Sequence, residues 1–253
     1  MGRPRAVVTG AGVRVGRAIA LELAGRGFDV AIHHHRSHEA AEQVARECRA
    51  FGADAFTVAA DLGTPDGCAH VVETVRARWD CLHLLVNNAS VFEPASFAEI
   101  SLDAWERMLA INTRAPFLLS QGLLPQLSAA SAVDLGGPEG QGGVVVHVCD
   151  IGAERPVSGF AHYSVSKAGL LMLVRAMAVE LAPRVRTVGI SPGQVAWPDG
   201  YSDEERTRLS RRIPLGRVGT PQDVARLVRF VALEGHYLNG AVVPLDGGLS
   251  CRY

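Results

Sequence analysis

AVVTGAGVRVGRAIALELAGRG, residues Ala6 to Gly27, decides how the rest of the chain is read. A short apolar run, Ala6–Thr9, gives way to small residues and then to apolar positions at helical spacing, Val15, Ile19 and Leu23. That pattern is a strand, a tight turn and a helix. A helix N-terminus reached through glycines presents free N–H groups and the positive end of its dipole to an anion. At the first strand–helix junction of a chain, this is where the pyrophosphate of a dinucleotide binds. The alternative is a turn whose glycines serve geometry alone.

Gly27 ends that helix, and Phe28–Ile32 reads as the second strand. Dinucleotide folds that use NAD carry a carboxylate at its end for the ribose 2′-OH. This chain has His33, His34, His35, Arg36 and Ser37, with no acid until Glu39. Arg36 and Ser37 are donors for an added phosphate, so NADPH is expected over NADH. The histidines also admit a metal site or a solvated loop.

A helix over Glu39–Phe51 follows, and then a strand, Ala55–Ala60, ending in Asp61-Leu62. Asp61 either accepts from an adenine amino group or caps the helix beginning near Pro65. The strand Leu82–Asn87 ends in Asn88, Ala89 and Ser90, with Phe92 just beyond. Side-chain amides there either tie strands together or line a crevice, and Phe92 either stacks on a flat ligand or joins the core. Leu102–Leu127 reads as one long helix bent near Pro116, in which Asn112 is a surface residue, a water holder or a source of bending. Ser128–Gly143 has the composition of a flexible surface loop. Residues 196–215 are polar and irregular, suiting either a lid over a crevice or a plain surface helix. Thr220-Pro221-Gln222-Asp223 is a helix start, and Val242–Leu245 is the last strand.

The alternation implies an α/β fold: one Rossmann-type domain over residues 1–253 with a doubly wound parallel sheet of about seven strands and helices on both faces. A formal net charge of -1 gives no basic excess for nucleic acid, and no apolar run is long enough to span a membrane. A strand starts almost at the N-terminus, leaving no room for a signal peptide, so a cytoplasmic location is expected. The five cysteines have no CxxC spacing, against both a disulfide framework and a zinc site.

Chemistry concentrates in VHVCDIGAERPVSGFAHYSVSK, Val146 to Lys167. A buried strand ends at Asp150, and a Gly/Pro loop leads into a helix carrying Tyr163 and Lys167. Residues four apart share a helix face. A lysine charge beside a phenol favours the phenolate, making a proton carrier near neutral pH.

Taken in order, TGAGVRVG, NNAS, Asn112, YSVSK, Pro192-Gly193 and the terminal LDGG resemble the short-chain dehydrogenase/reductase family over the whole chain. Three departures stand out. Arg14 replaces the middle glycine of TGxxxGxG, Ser90 the glycine of NNAG, and Asp150, thirteen residues before Tyr163, the catalytic serine. With HHHRS and NNASxF they resemble the pteridine reductase branch, which reduces dihydropterins, and in some members oxidised pterins or dihydrofolate, with NADPH. The resemblance implies catalysis by Asp150, Tyr163 and Lys167 with support from Asn112. It implies a cofactor held by Gly10, Arg14, Val15, Gly16, His35, Arg36, Ser37, Asp61, Leu62, Asn88, Ala89, Ser90, Tyr163, Lys167, Pro192 and Gly193. A pterin would meet Arg14, Ser90, Phe92, Asp150 and Tyr163. A carbonyl reductase acting on 3-oxoacyl thioesters is the alternative within the family, and a non-catalytic NADP-binding protein the alternative outside enzymes. The family also implies a homotetramer, with Arg252 either reaching a neighbouring site or solvated.

Overall fold

The computed structural model describes residues 2–196 and 202–252. The chain runs β1 (Arg5–Val8), α1 (Arg14–Gly25), β2 (Asp29–His34), α2 (His38–Ala50), β3 (Ala55–Ala59), α3 (Pro65–Arg78) and β4 (Leu84–Asn87). Then come α4 (Leu102–Leu109), a π-turn (Ala110–Arg114), α5 (Ala115–Gly122), α6 (Leu124–Ala129), β5 (Val144–Val148) and α7 (Ala161–Glu180). β6 (Arg186–Pro192), α8 (Asp203–Ser210), α9 (Pro221–Leu233) and β7 (Val242–Leu245) complete it.

The strands form one 7-stranded sheet, ordered β3-β2-β1-β4-β5-β6-β7, with every neighbouring pair parallel. Both faces are covered, so the central strands are near-continuous apolar runs rather than alternating, with Asn87 and His147 as buried polar exceptions. Every residue of β5 is buried. Alternate residues serve opposite cores. Ala6, Val8, Val144 and Val146 pack under α1, α2 and α9 with Ile19, Val44 and Val228, whereas Val7, Leu85 and Val145 pack with Val71 and Val75 of α3, Leu119 of α5 and Met177 of α7.

Helix starts follow local chemistry. The Thr64 hydroxyl accepts from Gly67 N–H ahead of Pro65, and Thr220 and Asp223 form a reciprocal cap ahead of Pro221. Thr64, not Asp61, therefore caps α3, and Asp61 instead accepts from Gly63 N–H at 2.9 Å.

One expectation changes. The bend in the long helical segment comes from the π-turn around Asn112, just before Pro116, and a second break falls between α5 and α6. Half of the stretch 128–143 is exposed, in keeping with a surface loop, while Leu135 reaches the core and Asp134 lies 3.2 Å from the buried His83. Of the segment 196–215, Trp197 and residues 198–201 lie outside the described residues, and a helix capped by Ser202 and Glu205 fills much of the rest.

Near the sheet's far edge, the buried guanidinium of Arg186 donates to the carbonyls of Val231, Gly235 and Leu238, closing the end of α9. Arg252 donates to the carbonyls of Arg211 and Arg212 in its own chain. No described helix is long and apolar enough to cross a membrane.

Candidate active site at the carboxyl ends of the strands

The strand order reverses between β1 and β4, where crossovers leave in opposite directions and open a crevice. Thr9 closes its floor. Its hydroxyl accepts from the Asn88 and Ala89 N–H groups, both at 2.9 Å, and the Asn88 amide donates to the Thr9 carbonyl at 2.8 Å. The Asn88 side chain thus ties strands together.

The glycine turn rises beside this floor. Gly10 has φ +63°, and a Cβ at Gly16 would run into the Gly10 carbonyl and the Asn88 amide. Arg14 has φ +49°, a left-handed conformation that costs a side-chain-bearing residue about 1–2 kcal/mol. The position of the family's middle glycine thus keeps a glycine-like backbone while carrying a guanidinium. No side chain caps α1, which leaves its first N–H groups free for an anion. Val15 is half-buried against the core.

The second junction sits against the first. A Cβ on Gly12 would lie 2.7 Å from the Ser37 hydroxyl. His35 and Arg36 are exposed, and His35 Nε2 lies 3.8 Å from Asp61. His33 and His34 belong to β2 and are buried, which overturns the solvated-loop reading for both. Successive strand residues point to opposite faces, so the three imidazoles do not converge as metal ligands. Leu62 is buried in the core, leaving only its backbone to meet a ligand. Pro192 ends β6, and Gly193 N–H donates to the Leu245 carbonyl at 3.1 Å.

Across the crevice, β5 delivers Asp150 and α7 delivers Tyr163 and Lys167. The Tyr163 hydroxyl donates to Asp150 Oδ2 at 2.8 Å, while Asp150 Oδ1 accepts from Gly152 N–H at 2.6 Å. The buried Lys167 ammonium donates to the Val148 carbonyl at 2.9 Å and lies 5.8 Å from the centre of the tyrosine ring. Burial, then the Asp150 charge and hydrogen bond, push the phenol well above its ordinary value. Burial pulls Lys167 down. The expected phenolate-favouring effect of lysine is therefore outweighed: this tyrosine is held protonated, a donor aimed at a carboxylate.

Asn112 is fully buried in the π-turn. Its oxygen accepts from Ser90 Oγ at 3.1 Å and Val91 N–H at 2.9 Å. Its nitrogen donates to the Val91 carbonyl and to Ser166 Oγ, both at 3.0 Å. The side chain is satisfied by protein, so it fixes the Ser90 loop against α7. Of the readings open to it, the bending role fits.

Phe92 is half exposed, stacked on Phe160 at 4.2 Å between centroids and edge-on to Tyr163 at 4.7 Å. Neither the stacking partner Phe160 nor the clamp residues Ser166 and Thr9 stood out by composition or period. The strand-end position of Thr9 and the adjacency of Ser166 to Lys167 were the available signals.

Comparison with known proteins agrees with the fold. The family model described as short chain dehydrogenase matches residues 4–206. The 3-oxoacyl-[acyl-carrier-protein] reductase FabG of Staphylococcus aureus (strain N315) is 30% identical over 96% of this chain and 97% of its own. The L-rhamnose 1-dehydrogenase (NAD(P)(+)) of Azotobacter vinelandii is 32% identical over 96% of this chain and 95% of its own. The uncharacterized oxidoreductase YohF of Escherichia coli (strain K12) is also 32% identical, over 96% and 94%.

Proposed function

Since the chain belongs to the short-chain dehydrogenase family, we propose that it is an NADPH-dependent reductase of a dihydropterin, giving the tetrahydro form. The observation that carries this reading is the carboxylate of Asp150 bonded to the Tyr163 hydroxyl. A carbonyl substrate develops negative charge on oxygen, which a carboxylate beside the proton donor would repel. A ring nitrogen that gains a proton is better served by it.

The residues fit such a cofactor. The uncapped start of α1 and the Arg14 guanidinium suit a pyrophosphate, and Arg36 and Ser37 suit a 2′-phosphate in the absence of an acid at the end of β2. When bound, the reduced nicotinamide supplies a hydride to a C=N carbon. Tyr163 donates its proton to the ring nitrogen, and Asp150 takes up a proton from solvent and passes it to the resulting phenolate. Lys167 binds ribose hydroxyls. Phe92 offers an aromatic face to the pterin, Ser90 a hydroxyl, and Arg14 a cation for a pterin oxygen or ring nitrogen.

The names of the relatives favour a second reading, reduction of a 3-oxoacyl thioester or another carbonyl compound. They weigh more toward it than toward a pterin; the case for the pterin rests on this chain's own departures. NADPH oxidation followed with a dihydropterin, with an acetoacetyl thioester and with neither separates the two. Turnover of the dihydropterin is expected. Turnover of the thioester alone would establish the second reading instead.

A further inference from the structure

We propose that His33 is a positioning residue for the dinucleotide site, holding the glycine turn open by accepting the Gly10 N–H on Nδ1. This rests on the reading of that turn as the cofactor's pyrophosphate site.

His33 is the penultimate residue of β2, and its ring bridges the glycine turn and the residue just past β3. Its Nδ1 is 3.1 Å from Gly10 N, and its Nε2 is 3.1 Å from the Ala60 carbonyl beyond β3. A carbonyl only accepts, so the proton sits on Nε2 and the lone pair on Nδ1 faces Gly10. Its own backbone carbonyl accepts from Ala11 N–H at 2.9 Å. One residue therefore takes up two successive N–H groups of the turn. Both would otherwise compete with the later N–H groups of the α1 N-terminus for an anion. Burial pushes the ring down to about 4, with His34 and His35 acting in the same direction and the Ala60 carbonyl and Asp61 against it. The neutral form is thus the one present at neutral pH, and only that form has an acceptor for Gly10.

The two bonds can be separated by isosteres. Asparagine places an oxygen near the Nδ1 position and keeps the bond to Gly10. Glutamine places an amide near the Nε2 position and keeps the bond to Ala60 instead. NADPH affinity is measured by fluorescence titration of the wild type, His33→Asn and His33→Gln, alongside thermal unfolding of each. Asn is expected to bind within about twofold of wild type, and Gln about tenfold more weakly, the scale of one lost hydrogen bond. Equal affinities, or losses that simply track the fall in melting temperature, would overturn the positioning role. A wild type that binds neither NADPH nor NADH would instead overturn the dinucleotide reading itself. Nitrogen-15 imidazole spectra of the wild type need no variant: an Nε2–H tautomer for His33 supports the proposal, and an Nδ1–H tautomer defeats it.

Discussion

The Tyr163 hydroxyl donates to the Asp150 carboxylate at 2.8 Å, and this pairing adds to burial in holding the phenol protonated. Burial and the neighbouring negative charge both oppose a phenolate. Replacing Asp150 by Asn keeps the volume and removes the charge. The phenol of Asp150→Asn should ionise at lower pH than in the wild type, yet still above the ordinary tyrosine value, because burial is the larger cause. Ultraviolet difference titration of the two proteins, each against its Tyr163→Phe counterpart, reads the shift.

Asp150→Ala and Tyr163→Phe should each lower turnover by about 10²–10⁴-fold, the range for losing a positioned acid or base. NADPH binding should persist in both, since neither side chain belongs to the glycine turn or the end of β2. Steady-state rates with a dihydropterin and separate cofactor titrations check the split. Near-wild-type rates in both variants would rule the mechanism out.

Arg14 carries a left-handed backbone, φ +49°. Arg14→Gly relieves that strain, whereas Arg14→Ala keeps it; both lose the guanidinium. The glycine variant should be the more stable by about 1 kcal/mol, reduced by the greater freedom of glycine in the unfolded chain. Both should bind NADPH more weakly than wild type. Denaturant melts and cofactor titrations on the pair measure strain and charge separately.

Two buried imidazoles make the fold sensitive to acid. Burial pushes His33 from 6.5 to about 4 and His147 from 6.5 to about 3. The unfolded chain takes up these protons near 6.5 and the folded chain refuses them. Stability should therefore be unaffected above that value and fall as pH drops through it. For His33 alone the loss reaches on the order of 3 kcal/mol by pH 4. Melting temperature against pH in the wild type and in His33→Asn checks this, the variant showing the shallower acid slope.

Much of this architecture is legible in the chain because parallel strands covered on both faces need unbroken apolar runs. β5 and β7 fall where the runs at Val144–Val148 and Val242–Leu245 place them. Arg14 and Ser90 likewise stand out by breaking a pattern. What is not legible arises from contacts between distant segments. The π-turn at Asn112 comes from an amide shared among Ser90, Val91 and Ser166, which no period encodes. His33 looks like part of a polar loop until the chain just past β3 supplies the Ala60 carbonyl. The effect of Lys167 on Tyr163, plausible from their spacing, yields to burial and to a carboxylate brought in by another element.

The Thr9–Asn88 junction also bears on how the molecule assembles. β1 to β3 form one half from successive crossovers, and β4 to β7 form the other, each through neighbours close in the chain. The junction joins residues 79 apart, and β1 and β4 are the neighbouring strands farthest apart in the chain, so this strand pairing bears the largest loop entropy of the sheet and comes late among them. A dinucleotide recognises only the docked halves. Its binding energy therefore falls on the seam between them, and the free chain should exchange its amide hydrogens there sooner than the liganded one.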